Sequence, residues 1–494
     1  MFNREKDLRI FKYSLALLYL LLTVMSKLME DAAFHPTLFV WLGPIAVLLL
    51  TKTAKTKLEY VAAYLVYIIS ANIEYYGFFS GITGFAMITA LQTVFFIPFV
   101  VDRILQNRLP GRFIACMAFP FLTVSVELLY AVLHVEPMFA FALELFNSKA
   151  IVQSTALIGI FGLEFVLAFN AEVIAFAAVN GISRARGALA ANIAVIFALA
   201  LFGEIRMQTK EDADESIRVA YMAGMYVGSV TEGTDFWEPE YDESIASFDA
   251  AAKTAGESGV ELMVFAEEAF TIQGSDENKF VDHARDAAVQ YDMAILLTMN
   301  HKNADENGKG ENKLLYIDRD GVIRSEYLKY KLIPILEMSD NNPGDGQIPT
   351  IETTIDGKTV SLAFMICYDS DFSGYVASMR GTADCLIIPS WDWEPIEYLH
   401  NNTTGLRAIE NGFTLFKPTY DGCTVVVDRY GDVSYTADTD DTGFETVCFV
   451  DLPINSAPTV YSVIAPYLNA IYPVGALIMI ALVFMNKNAR KKAA

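Results

Sequence analysis

Apolar windows near the roughly 20 residues that a helix needs to cross a bilayer recur through the first 203 residues of this 494-residue chain. Seven can be drawn: Phe11 to Met25, Thr37 to Leu50, Tyr60 to Ile73, Phe85 to Val101, Phe113 to Leu133, Val152 to Ala178 and Leu189 to Phe202. An eighth, Ile464 to Met485, stands near the C-terminus. Hydrocarbon offers backbone groups no partner, so such windows must be helices that satisfy their own hydrogen bonds. The second and third are short for a span.

The connecting segments test this count independently, because Lys and Arg gather on the cytoplasmic side of a membrane protein. Arg4, Lys6, Arg9 and Lys12 precede the first window, and Lys52, Lys55 and Lys57 follow the second. Arg103, Arg108 and Arg112 follow the fourth, Arg184 and Arg186 the sixth, and Lys487, Arg490, Lys491 and Lys492 the eighth. The alternate segments carry acids instead: Glu30 and Asp31, Glu74, then Glu136 and Glu144. The pattern predicts about eight spans with both termini cytoplasmic, and it puts the long segment between windows seven and eight outside the cytoplasmic membrane. A cleaved signal peptide over the first window would need an A-x-A-like site after it, which the sequence lacks.

Composition separates the same regions. The chain is 53% hydrophobic and carries a net charge of −23, with a mean hydropathy of +0.34. Residues 204–460 hold 47 acids against 18 bases, a net charge of −29, while the remainder is +6. The expected domains are therefore a membrane domain over 1–203, a catalytic domain over 204–460, and a C-terminal span with a basic tail over 461–494. An acidic block without a basic face excludes nucleic acid as a partner. The five cysteines, Cys116, Cys367, Cys385, Cys423 and Cys448, show no CxxC pair and no zinc spacing. No metal and no cofactor is expected, and one thiol is free to be chemically special.

Within the acidic block the texture is α/β. Ile217 to Met222, Leu262 to Phe265, Ala294 to Thr298, Leu314 to Ile317, Val360 to Ile366, Cys385 to Ile388, Gly412 to Lys417 and Cys423 to Asp428 read as strands. Tyr241 to Ala255 reads as a helix, and turns such as Asp320-Gly321 and Asp356-Gly357 punctuate the block. Strands alternating with helices predict stacked layers around mixed sheets.

Three strand ends concentrate chemistry. Val264-Phe265-Ala266-Glu267-Glu268 ends an apolar run in paired acids, which could equally cap the next helix. Tyr327-Leu328-Lys329-Tyr330-Lys331 sets two lysines in apolar sequence, either sequestered beside carboxylates or snorkelling over a hydrophobic patch. Ile366-Cys367-Tyr368-Asp369 puts a thiol where a strand breaks, either a small core residue or a nucleophile. A nucleophilic thiol needs a base and a cation nearby, and the two earlier segments could supply both.

The order Glu, Lys, Cys resembles the carbon-nitrogen hydrolase (nitrilase) superfamily. Tyr-x-Lys-x-x-Leu-Ile-Pro-x-x-Glu over Tyr327 to Glu337, with Ile366-Cys367-Tyr368-Asp369, resembles more specifically the apolipoprotein N-acyltransferase family. That resemblance implies an α-β-β-α sandwich, extracytoplasmic, between seven N-terminal spans and one C-terminal span. It implies Glu267 as general base, Lys329 rather than Lys331 as the triad lysine, and Cys367 as nucleophile. Glu337, Tyr368 and Asp369 match supporting positions. Phe265-Ala266-Glu267 stands where the family has Trp-Pro-Glu, and Ser390-Trp391-Asp392-Trp393 replaces its Asn-Asp-x-Trp segment. Apolar loops at Pro334-Ile335-Leu336 and Trp391 to Ile396, and the aromatic segment Pro137 to Phe141, could face lipid. The implied reaction moves a fatty acyl chain from a membrane phospholipid, through a Cys thioester, to the α-amine of a diacylglyceryl-cysteine lipoprotein. A membrane-bound amidase or nitrilase-type hydrolase with the same triad is the alternative. A transporter or receptor with a degenerate ectodomain is a third reading, for which Glu127, Glu164 and Glu172 inside the spans are the residues to test.

Overall fold

A computed structural model describes residues 5–28, 37–79, 81–106, 108–109, 112–135, 140–225, 241–305, 307–334 and 336–492. Arg4, Glu30, Asp31, Glu136, residues 137–139 of the aromatic segment, and Ile335 lie outside the described residues. The chain divides into two compact units, Met1–Thr209 with Ile464–Ala494, and Lys210–Val463.

All eight apolar windows fall on helices. Asp7–Leu28, Gly81–Gln106, Arg112–Val132, Thr155–Asn180, Ile182–Gln208 and Val460–Asn486 are long and apolar enough to cross a membrane. The two short windows lie on Thr37–Thr53, of 17 residues, and Lys57–Glu74, of 18. The chain is a multi-pass membrane protein. Lys57–Glu74 begins with a capping box, in which Thr56 Oγ1 accepts from Glu59 N–H at 3.3 Å and the Glu59 carboxylate accepts from Thr56 N–H at 3.2 Å. A buried lysine in this unit is paired, as burial requires. Lys52 Nζ contacts Glu172 at 2.8 Å and also Asp102, with all three side chains fully buried. Glu164 accepts the Ala142 N–H at 2.9 Å, and Glu127 and Glu164 line a cavity of about 40 Å³. The C-terminal helix docks through Tyr472, whose ring lies 5.7 Å from that of Phe165.

The other unit is an α-β-β-α sandwich. One sheet runs in the order Cys448–Ile454, Glu215–Met222, Leu262–Phe265, Ala294–Lys302, Glu311–Ile317, Ile323–Leu328, with Thr271–Gln273 also paired to Ala294–Lys302. The second runs Val433–Asp438, Cys423–Val427, Thr414–Lys417, Cys385–Ile387, Lys358–Phe364, Thr350–Ile355. In each sheet three central strands are parallel and the flanking ones antiparallel. Parallel strands are buried on both faces, and Leu262–Phe265 is buried at every residue. Helices Tyr241–Glu257 and Asp276–Tyr291 cover the first sheet through Phe248, Ala252, Phe280 and Ala284. The sheets meet through rings, with Tyr316 stacked on Phe364 at 5.4 Å and Tyr221 edge-on to Phe416 at 5.7 Å.

Candidate active site

Each of the three expected catalytic residues stands just beyond the end of a strand. Ala266 N–H donates to Met222 O at 3.1 Å, which carries the parallel ladder one step past Phe265 and delivers Glu267 at the strand's carboxyl end. Lys329 follows Ile323–Leu328, its N–H donating to Asn312 O at 2.9 Å. Cys367 follows Lys358–Phe364 by three residues, and its N–H donates to Pro389 O at 2.9 Å. Strand ends from both sheets thus aim a carboxylate, an ammonium and a thiol at one place on a rigid scaffold.

The three are buried, at 3%, 1% and 4% exposure, so none is a solvated cap or a surface cation. Lys329 Nζ donates to Glu267 Oε1 at 2.7 Å and to Glu337 Oε1 at 2.6 Å. Glu267 Oε1 also accepts from Asn312 Nδ2 at 2.7 Å, while its Oε2 accepts the Trp391 N–H at 2.7 Å. The Cys367 thiol faces the carbonyl of that same Trp391 at 3.8 Å. One peptide segment therefore touches both the carboxylate and the thiol, and Trp391 meets the cluster through its backbone. Its indole packs on Tyr420 at 5.0 Å between ring centres, and Tyr420 on Phe444 at 4.8 Å, making an apolar wall beside Ala266.

Electrostatics sort the roles. Burial, and then the Glu267 carboxylate, push the Cys367 thiol well above its usual range, against the pull of Lys329. The resting thiol is protonated and needs a base. Burial alone would lower Lys329, but the carboxylates of Glu267 and Glu337 reverse this and hold it well above the ordinary lysine value. Glu268 is pushed up to about 8 by burial and by the Glu267 and Glu337 charges, with Asn300 Nδ2 as its donor at 3.1 Å. Cys367, at φ 44°, and Glu268, at φ 50°, are non-glycine residues in left-handed backbone. Strain of that kind is typically stored at functional sites.

Tyr368 and Asp369 follow the thiol in the same 3-10 turn. Asp369 Oδ2 accepts from Tyr327 Oη at 2.7 Å and Oδ1 accepts the Lys331 N–H at 2.6 Å. It thereby ties the thiol's 3-10 turn to the strand end bearing Lys329, and burial pushes its carboxyl up to about 7. Tyr368 packs edge-on to Phe372 at 5.1 Å. Lys331 stays apart from the cluster, with Nζ 4.6 Å from the centres of the Tyr330 and Phe372 rings. Glu337 Oε2 accepts the Ile333 N–H at 2.7 Å and so closes its own loop around Lys329.

The sequence reading missed a second buried network beside the thiol. Asp392 accepts from His400 Nδ1 at 2.6 Å and also pairs with Lys417, and both held partners keep its carboxyl below the usual range despite full burial. The Cys367 sulfur, a His400 nitrogen and an Asp392 oxygen lie within 4.8 Å of one another. Asn312 was missed too. Polar side chains inside or ending otherwise apolar strands, Asn312 after Glu311 and Lys417 before Pro418, were the available signal.

A family model described as carbon-nitrogen hydrolase matches residues 227–459. An apolipoprotein N-acyltransferase 2 of Treponema denticola is 22% identical over 371 residues, which is 65% of this chain and 65% of that relative. An apolipoprotein N-acyltransferase of Rhodopseudomonas palustris is 24% identical over 405 residues, 75% of this chain and 72% of the relative. The alignment with the Treponema protein thus spans just under two thirds of its length. Among solved structures, an amidase from Nesterenkonia sp. aligns with a TM-score of 0.40 and 20% identity, over 50% of this chain and 93% of that one. Residues 227–459 thus resemble a carbon-nitrogen hydrolase domain, carried by a multi-pass membrane chain. Over 65 to 75% of its length the chain is similar to apolipoprotein N-acyltransferases.

Proposed function

We propose that this protein is a membrane-bound acyltransferase. It moves a fatty acyl chain from a phospholipid to Cys367 and then to the α-amine of an N-terminal diacylglyceryl-cysteine lipoprotein. The observation that carries the reading is the convergence of Glu267, Lys329 and Cys367 in a chain that spans the membrane several times. A soluble hydrolase with this triad has no need of such spans, whereas two lipid substrates do. Exposed Leu336 and Met338, on either side of Glu337, offer the apolar surface that such substrates call for. The alternation of basic and acidic segments supports an extracytoplasmic catalytic domain with both termini cytoplasmic.

Glu267 takes the Cys367 proton as the sulfur attacks the donor ester carbonyl. The tetrahedral oxyanion is met by Lys329 Nζ and the Tyr368 N–H. Collapse breaks the ester C–O bond, the proton passes from Glu267 to the leaving alkoxide, and a lysophospholipid departs. The acceptor amine then attacks the thioester, Glu267 removes its proton, and the thiol returns as leaving group while the amide forms. Lys329 remains protonated throughout, as its pairing with two carboxylates requires.

Mass spectrometry of the intact protein from its native membrane tests this reading. A fatty-acyl mass is expected on the Cys367 peptide, absent in Cys367→Ala. With phospholipid alone, one acylation per molecule is expected. Repeated release of fatty acid, or acylation at another residue, would overturn the assignment.

A further inference from the structure

The membrane unit holds a second recess that the acyl-transfer reading does not use. It encloses about 340 Å³ where the end of Gly81–Gln106, the start of Arg112–Cys116, the end of Thr155–Asn180 and the start of Ile182–Gln208 come together. That volume lies within the range of small-ligand sites. Arg112 and Arg184 reach it from segments 72 positions apart, together with the amides of Gln106 and Asn180, over a floor that includes buried Leu109 and Phe176.

The charge around the recess is unbalanced. Arg112 and Arg184 are exposed, and among the described residues neither has an ion-pair partner. The neighbouring acids are already committed: Asp102 and Glu172 both pair with Lys52, and Gln106 Nε2 donates to Glu172 at 2.8 Å. Two unpaired guanidinium groups and an asparagine amide converging on a concavity are the donors that hold phosphate oxygens. The rim also points to the source of the phosphate. Phe113, beside Arg112, is 48% exposed, and Ile182, two residues before Arg184, is 72% exposed, as residues facing acyl chains would be.

We infer that this recess binds the phosphate of an anionic phospholipid, with its glycerol over the apolar floor and its acyl chains along the face of Ile182–Gln208. All its lining residues belong to the membrane unit, so the site is separate from the triad and stands whether or not the acyl-transfer reading does. Basic pockets between membrane helices are a known mode of anionic headgroup recognition, and each arginine near a charged lipid surface contributes about a fivefold gain in binding.

Native mass spectrometry of the full-length protein, titrated with phosphatidylglycerol or phosphatidylcholine, tests the inference. Phosphatidylglycerol should be retained over phosphatidylcholine, each of Arg112→Gln and Arg184→Gln should weaken retention about fivefold, and the double variant about 25-fold. Arg112→Lys with Arg184→Lys should keep most of the selectivity. Equal retention of the two lipids, or a double Gln variant that holds phosphatidylglycerol as the unaltered protein does, would overturn the site. Displacement of phosphatidylglycerol by inorganic phosphate would overturn the lipid as its occupant.

Discussion

Lys329 is held by two carboxylates at nearly equal distance, 2.7 Å to Glu267 and 2.6 Å to Glu337, yet their surroundings assign them different work. Glu267 also takes the Trp391 N–H, and the Trp391 carbonyl faces the Cys367 sulfur. Glu337 instead takes the Ile333 N–H of its own loop. Replacing either by Gln leaves an amide NH2 facing a donor, a penalty common to both variants. The difference lies in what else is lost. Glu337→Gln replaces the ion pair with Lys329 by a bond from the ammonium to a neutral amide oxygen, a loss of about 1 to 1.5 kcal/mol, or roughly tenfold in rate. Glu267→Gln removes the proton acceptor as well, and general-base catalysis contributes about 10²- to 10⁴-fold. Single-turnover acylation of Cys367 by phospholipid vesicles, followed by mass spectrometry, should rank wild type, Glu337→Gln and Glu267→Gln in that order, the last two at least tenfold apart. Thermal unfolding of each variant separates slow chemistry from lost fold. Equal rates for the two variants, or a Glu267→Gln rate within tenfold of wild type, would refute the division of roles.

Other consequences follow from the same cluster. Glu268, held near 8, is neutral at pH 7 and ionises above it, adding a negative charge beside the forming thiolate; acylation should fall with an apparent pKa of about 8, and Glu268→Gln should flatten that limb. Because this folded value lies above the unfolded one, the group's contribution to stability is complete below the usual carboxylate range and disappears as pH rises through about 8, so Glu268→Gln should also reduce the loss of thermal stability between those limits. Lys417→Met strips buried Asp392 of its lysine partner and should destabilise the catalytic domain by about 3 to 5 kcal/mol, read as a lower unfolding temperature; a change below 1 kcal/mol would contradict the pairing. At φ 44°, position 367 suits glycine, so Cys367→Gly should unfold at a higher temperature than Cys367→Ala, by about 1 kcal/mol in stability, although both are inactive.

The reach of the sequence can be judged from which elements it exposes. The apolar windows and the central strands were legible because their signal is local: Leu262–Phe265 is apolar at every position and buried at every position. The outermost strands of the two sheets, Cys448–Ile454, Ile323–Leu328, Val433–Asp438 and Thr350–Ile355, left no such mark, nor did the short Thr271–Gln273, Ser390–Trp391 and Thr419–Tyr420. Edge strands bury one side or neither, as the largely exposed Val433–Asp438 does, so their composition resembles a loop. Gly412, read as the start of a strand, instead ends the helix Glu394–Asn411 at φ 81°, where a side chain would be strained. At the site, Glu267, Lys329 and Cys367 were visible because each interrupts an apolar run. Of their partners, Glu337 was reached through the family motif and Trp391 only as part of an apolar segment, while Asn312 and His400 were not reached. Trp391 meets Glu267 across 124 residues through a backbone N–H that any residue type would supply, and His400 lies on a helix whose pattern marks only which face is covered.

Burial by itself opposes a nucleophilic thiol, since it raises the energy of the thiolate. The cluster answers this by conserving its charge. In the resting state it holds two carboxylates, one ammonium and a neutral thiol, a total of −1. When Glu267 accepts the Cys367 proton, it holds one carboxylate, one thiolate and the same ammonium, again −1. No charge enters or leaves the low-dielectric site, so the desolvation that opposes ionisation to bulk water does not oppose this internal transfer. Lys329 is fixed by Glu267 and Glu337 in both states, and the donors from Asn312 and Trp391 keep the receiving carboxylate oriented before the proton arrives. A neutral Glu268 is part of the same balance, because a second net negative charge would tax the thiolate directly. The domain's surface acidity of −29 therefore says little about the reacting atoms. What governs the chemistry is a closed group of side chains in which one lysine offsets one of two carboxylates, and in which the proton needed at the end of each half-reaction is already inside.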